Sequence, residues 1–238
     1  MKASPKLLAL AVASLLTFSM ASARASIVSF MTASGTPAQA DITTGAGTIT
    51  LTLTNLGTNP GSVAENISAF SFTLSNTAGT TSLSSMSSSG RIVAGDGTYS
   101  DSGPITSGWV QSMVNPSTIK VDVLAGAGHA GPSETILGLP DGSNLYSAAG
   151  GSIAGNGPHN PFLNKTATFT FSADNVSALT TVTGATFQFG TTDGEGLIPG
   201  VPGTGTTVPV PVPAAVWSGM SVLGGLGLAR KLRKKLAR

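Results

Sequence analysis

The side chains that could act as catalytic groups or metal ligands are few, and they form no recognisable constellation. The chain has no cysteine and two histidines, His129 and His159. Both histidines lie in Gly/Pro-rich segments, 30 residues apart, and a two-histidine metal site needs further ligands at suitable spacing. We therefore expect both to be solvated loop residues. The absence of cysteine excludes a thiolate metal site and a cysteine nucleophile.

Short segments that match the sequences of catalytic motifs lack the secondary structure or the partner residues that those motifs require. Ser117-Thr118-Ile119-Lys120 has the letters of S-x-x-K, whose serine and lysine must share one face of a helix. Residues 119–123 alternate between apolar and polar, which predicts a strand instead. Asp101-Ser102-Gly103 matches half of an aspartic-protease dyad, which requires a second such turn. No local pattern selects a pair of carboxylates for glycoside hydrolysis among Glu65, Glu134 and Glu195. We therefore expect no enzymatic activity, with a secreted glycan hydrolase as the less favoured alternative.

Two turns are rich in oxygen ligands and leave two interpretations open. Asp141-Gly142-Ser143-Asn144 carries three such side chains, and Asp193-Gly194-Glu195-Gly196 carries two. Calcium takes six to eight oxygen ligands, but Asp-Gly is also an ordinary turn signal. Ordinary turns are the favoured interpretation. The alternative is a calcium site, the only cofactor that the sequence suggests, with candidate ligands Asp141, Asn144, Asp193 and Glu195.

The amino-acid composition indicates which kind of secondary structure the chain forms. Charged residues are 9% of the 238 residues, against about 25% in an ordinary globular protein. Between Ser26 and Val208, 53 of 183 residues are serine or threonine. This composition excludes a coiled coil and disfavours a helical bundle, because both need Ala, Leu, Glu and Lys in quantity.

The charges are divided between the middle of the chain and its ends. The formal net charge is +2, yet residues 26–209 carry three basic and ten acidic residues, a net charge of −7. The other nine basic residues lie before residue 25 or after residue 229. An acidic body repels phosphate, so we expect no nucleic-acid partner.

The body has the alternating pattern of β-strands. Apolar residues recur with period two in five segments, which places each Phe-x-Phe pair on one side of a sheet. These segments are Ile49–Thr54, Phe70–Ser75, Ile119–Val123, Phe169–Ser172 and Phe187–Phe189. Four weaker strands are predicted at Ile27–Met31, Arg91–Ala94, Trp109–Val114 and Thr135–Leu139. About nine short strands without a helical period predict an all-β fold, a β-sandwich such as a jelly-roll. Ser82–Ser89 is predicted to be a low-complexity linker or loop.

The N-terminus has the order of a secretory signal peptide. Lys2 and Lys6 precede an apolar run of ten residues, 7–16, which is too short to span a hydrocarbon core of about 30 Å. Small residues follow and offer A-x-A cleavage sites after Ala23 and Ala25. We predict a signal peptide over residues 1–25, and export without cysteine predicts a domain stabilised by packing.

The C-terminus has three parts in order. Residues 198–209 are rich in Gly, Pro and Thr and are predicted to be a linker without regular structure. From Ala214 to Ala229 no residue is charged, and sixteen helical residues would cover about 24 Å, a short membrane span. A basic cluster then follows, which the positive-inside rule keeps in the cytoplasm. It consists of Arg230, Lys231, Arg233, Lys234, Lys235 and Arg238.

A Pro-x-Pro motif, a short Gly-rich apolar helix and a terminal basic cluster, in this order, resemble the PEP-CTERM sorting signal. The resemblance covers roughly residues 208–238, and the family's short motif maps onto Pro211, Val212 and Pro213. Val212 stands where the family has Glu, as in a recurring subtype of the form PVPAAVW. The resemblance implies recognition by an exosortase, a membrane transpeptidase of Gram-negative bacteria that make exopolysaccharide. The alternative is a simple single-pass membrane anchor.

A second resemblance concerns the body. The alternating segments Asn66–Leu74 and Ala167–Phe171 resemble strands of cohesin and related carbohydrate-binding sandwiches. The predicted organisation is a signal peptide (1–25), a β-sandwich ectodomain (26–197), a linker (198–209) and a sorting signal (210–238). We expect an exported surface or matrix protein with a structural or adhesive role. A carbohydrate-binding module that holds exopolysaccharide is the alternative.

Overall fold

The structure, a computed structural model, describes residues 26–203. The predicted signal peptide, the motif Pro211–Pro213, the membrane helix and the basic cluster lie outside these residues. Within them the protein is all-β, as predicted, with two single 3₁₀ turns at Val63–Glu65 and Gly157–His159. The twelve strands are β1 Ser26–Thr32, β2 Ala38–Gly45, β3 Thr48–Asn55, β4 Ile67–Leu74, β5 Thr81–Val93, β6 Tyr99–Ile105, β7 Val110–Asn115, β8 Thr118–Asp122, β9 Ile136–Leu137, β10 Phe162–Ala173, β11 Val182–Phe189 and β12 Leu197–Pro202.

The strands form one hydrogen-bonded sheet that closes on itself. Its order is β6-β5-β10-β3-β2-β1-β12-β11-β4-β8-β7. The short strand β9 pairs parallel to β10 and antiparallel to β4, which closes a ring of eight strands. The hairpins β5–β6 and β7–β8 extend the sheet outside this ring, next to β10 and β4.

The core lies between the two halves of the ring. Phe70 and Phe72 of β4 and Phe169 and Phe171 of β10 are buried, so each predicted Phe-x-Phe pair does face inward. The Phe72 and Phe171 rings meet edge to face with centroids 6.0 Å apart. A smaller core, which includes Tyr146 and Phe162, lies under the segments around residues 137–153.

All nine predicted strands are present, but the structure has three more. β2, β6 and β12 were not predicted. In β2 the inward side chains of Ala38 and Ala40 are too small to give a strong hydrophobic pattern. The segment 198–209 was predicted to hold no regular element. This prediction is wrong for residues 198–202, which belong to β12.

The predicted loop at Ser82–Ser89 is also wrong, because these residues belong to β5. Leu83 pairs with Phe171 and Met86 pairs with Phe169, with a register shift between them that leaves Ser84 as an extra residue. A β-bulge of this kind breaks the period-two pattern. The bulge therefore concealed a strand whose remaining residues are mostly serine.

Candidate functional site

The Asp141 turn is closed by its own hydrogen bonds. One carboxylate oxygen of Asp141 accepts the N–H groups of Ser143 and Leu145, and the other accepts the Ser147 hydroxyl. These hydrogen bonds lower the pKa of Asp141, and the bond from the Ser147 hydroxyl has the largest effect. Asn144 has a left-handed backbone with φ of 58°. This is the geometry of an Asx turn, in which the carboxylate oxygens bond to the turn itself.

The carboxylate of the second turn, that of Asp193, forms an ion pair with a lysine. Asp193 Oδ1 lies 2.6 Å from Lys120 Nζ, and this hydrogen bond lowers the pKa of Asp193. Glu195 lines a shallow cleft of about 250 Å³ beside Thr191, Thr192 and the backbone of Gly190. Across residues 26–203, no group of three or more His, Asp or Glu side chains is placed to hold a metal ion. The structure therefore does not assemble Asp141, Asp193 and Glu195 into one site.

One of the two histidines differs from the expectation. His159 is partly exposed and its Nδ1 contacts the carbonyl oxygen of Ser152. The side chain of His129 is 7% exposed, and its Nδ1 lies 2.7 Å from Oδ1 of the equally buried Asp122. The prediction of a solvated histidine is wrong for His129, because its loop folds back onto the end of β8.

A charged network surrounds Asp122. Lys120 Nζ lies 3.2 Å from Asp122 Oδ2 and 2.6 Å from Asp193 Oδ1. Burial alone would lower the pKa of Lys120, but the Asp193 hydrogen bond and the nearby Asp122 raise it. The sequence analysis missed this network. Its signal is the i, i+2 spacing of Lys120 and Asp122, which places both side chains on one face of β8.

A second unpredicted cluster is centred on Arg91. Its Nε donates to Asp101 Oδ1 at 2.8 Å, and a terminal nitrogen donates to the Tyr146 hydroxyl at 3.2 Å. Its guanidinium carbon lies 3.9 Å from the centroid of the Tyr99 ring, in cation–π geometry. Burial opposes the charge of Arg91, while the bonds to Asp101 and Tyr146 raise its pKa. Asp101 therefore serves this cluster, which joins β5 and β6 to the segment that contains Tyr146.

The outer side of β2, β3, β10 and β5 is a continuous array of hydroxyl groups. We call this array the hydroxyl face. Its members alternate with buried residues and pair across strands, as Thr52 does with Thr168 and Thr168 with Ser87. Hydroxyl oxygens lie 3.3 Å apart at Thr52–Thr168 and 2.7 Å apart at Ser82–Ser172. The hydroxyl face comprises Thr43, Thr48, Thr50, Thr52, Thr54, Ser82, Ser85, Ser87, Thr166, Thr168, Thr170 and Ser172.

Charge and aromatic rings are nearly absent from the hydroxyl face. Asp41, which pairs with Thr52, shares this side and accepts hydrogen bonds from Ser29 and Gln39. All eight phenylalanines in residues 26–203 are buried, as are Trp109 and Tyr146. Any ligand of the hydroxyl face would therefore be held by hydrogen bonds and not by stacking on aromatic rings.

Comparison of the chain with protein-family models, curated proteins and solved structures finds no match. In the segment from residue 26 to residue 203, no helix has the length and apolar character needed to cross a membrane.

Proposed function

We propose that this chain is an exported, non-enzymatic protein of the cell surface or extracellular matrix, with a structural or adhesive role in an exopolysaccharide-associated envelope. The observation that carries the proposal is the sequence order: a signal-like N-terminus, an all-β body and a three-part C-terminal tail. The small number of charged residues in the body and its hydroxyl face support a structural or adhesive role, because hydroxyl groups form hydrogen bonds with water and with neutral polymers alike.

Sorting by an exosortase-type membrane transpeptidase is part of the same proposal. The signal peptide would direct export, and the apolar segment Ala214–Ala229 would hold the intermediate in the membrane. Pro211 and Pro213 fix φ and disfavour helix before them, which would keep an extended segment outside the membrane. The resemblance to PEP-CTERM tails supplies the enzyme class.

We also propose that the closed sheet belongs to the β-sandwich class, of jelly-roll or cohesin-like type. The support is the packing of β4 against β10 across the core, as in two sheets that lie face to face. The ordinary-turn interpretation of the Asp141 and Asp193 segments is preferred to calcium binding, because their carboxylates bond to the protein itself.

A carbohydrate-binding module is the second candidate function, and the hydroxyl face is the observation that favours it. A retention experiment on the host's own polysaccharide separates the candidates. The full chain is compared with a Thr50→Val, Thr52→Val, Thr168→Val variant, which removes three hydroxyls and keeps the β-branched shape. Thr186→Val, on β11 and outside the hydroxyl face, is the matched control.

The structural role predicts no saturable retention for any of these proteins. Saturable retention that the triple variant loses and Thr186→Val keeps would instead establish the binding module. Turnover of the polymer that Glu195→Gln abolishes would establish a hydrolase at the shallow cleft. Each of these two results would contradict the structural proposal.

A further inference from the structure

Residues 124–135, which lie in the loop between β8 and β9, are attached to the body at the beginning, middle and end of this segment. At its beginning, Asp122 Oδ1 accepts the N–H groups of Leu124 and Ala125 at 3.1 and 3.2 Å. In its middle, the backbone N–H groups of Ala130 and Gly131 donate to the carbonyl oxygens of Gly108 and Val123. Two titratable side chains of the loop, His129 and Glu134, reinforce these attachments.

His129 attaches the loop to the buried carboxylate of Asp122. Its Nδ1 lies 2.7 Å from Asp122 Oδ1, in the position of an ion pair without hydrogen-bond geometry. The imidazole therefore packs the middle of the loop directly against the buried carboxylate at the end of β8.

Glu134 lies at the end of the loop in a setting that suits its neutral form. Its Oε2 is buried and has no hydrogen-bond partner, and burial raises the pKa of Glu134. The carboxyl group packs against Gly108, where a Cβ would approach Oε2 to within 1.9 Å. The backbone oxygen of Glu134 accepts the indole N–H of Trp109 at 2.9 Å, which links this end of the loop to the core.

We propose that the loop of residues 124–135 is a pH-dependent clasp, closed over the Trp109 end of the sheet in acid and loosened as the pH rises. Glu134 binds its proton more tightly in the folded state than in the unfolded state. Its contribution to the stability of the closed loop is therefore complete below the ordinary pKa of a glutamate. That contribution is lost as the pH rises through the raised pKa of Glu134 in the folded state.

The charges of Lys120 and Asp193, which lie near the loop, keep their state while Glu134 titrates. Asp122 faces His129, with Lys120 and Asp193 behind it. The raised pKa of Lys120 and the lowered pKa of Asp193 keep both ionised from about pH 5 to 9. The pKa of Glu134 is shifted by burial alone, with no contribution from a neighbouring charge.

Hydrogen exchange of the full chain in mild detergent tests the clasp. Protection of the Ala130 and Gly131 amides, corrected for intrinsic exchange, is measured at pH 5 and pH 8. We expect protection to fall at least about fivefold at pH 8, which corresponds to about 1 kcal/mol, the low end for an unpaired buried polar group. Amides in β3 serve as the internal control and should not change.

Glu134→Gln tests whether this carboxyl group is the one that titrates. It should retain more protection than the natural chain at pH 8, so that protection differs less between the two pH values. His129→Gln, which removes the contact with Asp122, should lower protection at both pH values. Fluorescence of Trp109, measured in a Trp217→Phe background, should follow the same order. The proposal is overturned if loop protection is the same at both pH values, if Glu134→Gln does not alter its pH dependence, or if the β3 amides lose protection together with the loop.

Discussion

Replacing Phe171 with alanine is expected to lower the free energy of unfolding by about 3–5 kcal/mol. The ring is fully buried, and its edge-to-face contact with Phe72 spans the core between the two halves of the sheet. β10 is also paired with both β3 and β5, so its backbone has little freedom to move into the space that the ring would leave. The loss should therefore include a cavity contribution as well as the lost burial.

Urea unfolding of the full chain measures this loss, with Thr170→Val as the control on the same strand. Thr170 points outward, so its replacement should change the free energy of unfolding by no more than about 0.5 kcal/mol. A loss below about 1 kcal/mol for Phe171→Ala would contradict the position of this ring in the core.

Replacing Arg91 with alanine is expected to lower the free energy of unfolding by about 2–4 kcal/mol. The change removes a buried stem, the cation–π contact with Tyr99 and the hydrogen bond to the Tyr146 hydroxyl. The hydroxyl of Tyr146 also donates to the carbonyl oxygen of Gly138, so loss of Arg91 loosens that segment as well.

Arg91→Met and Asp101→Asn separate the contributions to this cluster. Methionine keeps most of the apolar stem and should recover about 1–2 kcal/mol of the loss. The side chain of Asp101 is 49% exposed, so Asp101→Asn should cost no more than about 1 kcal/mol. If Arg91→Ala unfolds at the same urea concentration as the natural chain, the cluster does not stabilise the fold.

The strands that the sequence predicted are those whose core residues are large and evenly spaced. Phe70 and Phe72, like Phe169 and Phe171, stand two residues apart with hydroxyl residues between them, and both pairs are buried as expected. The missed strand β12 contains Pro199 and Pro202, which cannot donate hydrogen bonds, and it pairs over only three residues with each neighbour. Its formation depends on pairing with β11 and with β1, which lies at the other end of the body in the sequence.

The Arg91 cluster and the burial of His129 could not be predicted, because they depend on contacts between segments that are separated in the sequence. Arg91 meets Asp101 ten residues away and Tyr146 fifty-five residues away, and no local motif connects the three. The burial of His129 depends on how its loop folds against β8, which composition does not reveal. The hydroxyl face was partly predictable, because alternation placed Thr50, Thr52 and Thr54 on one side of their strand. Its extension to Ser85 and Ser87 required the pairing of β5 with β10.

The sequence of the C-terminal peptide of protein recovered from the cell surface tests the central proposal most directly. If the tail is a sorting signal, the surface protein lacks Trp217 and every residue after it. A variant with all six terminal basic residues replaced by glutamine should accumulate as unprocessed precursor, because its orientation in the membrane is disturbed. Surface protein that still ends at Arg238 would show that the tail is a plain anchor and would contradict the sorting proposal.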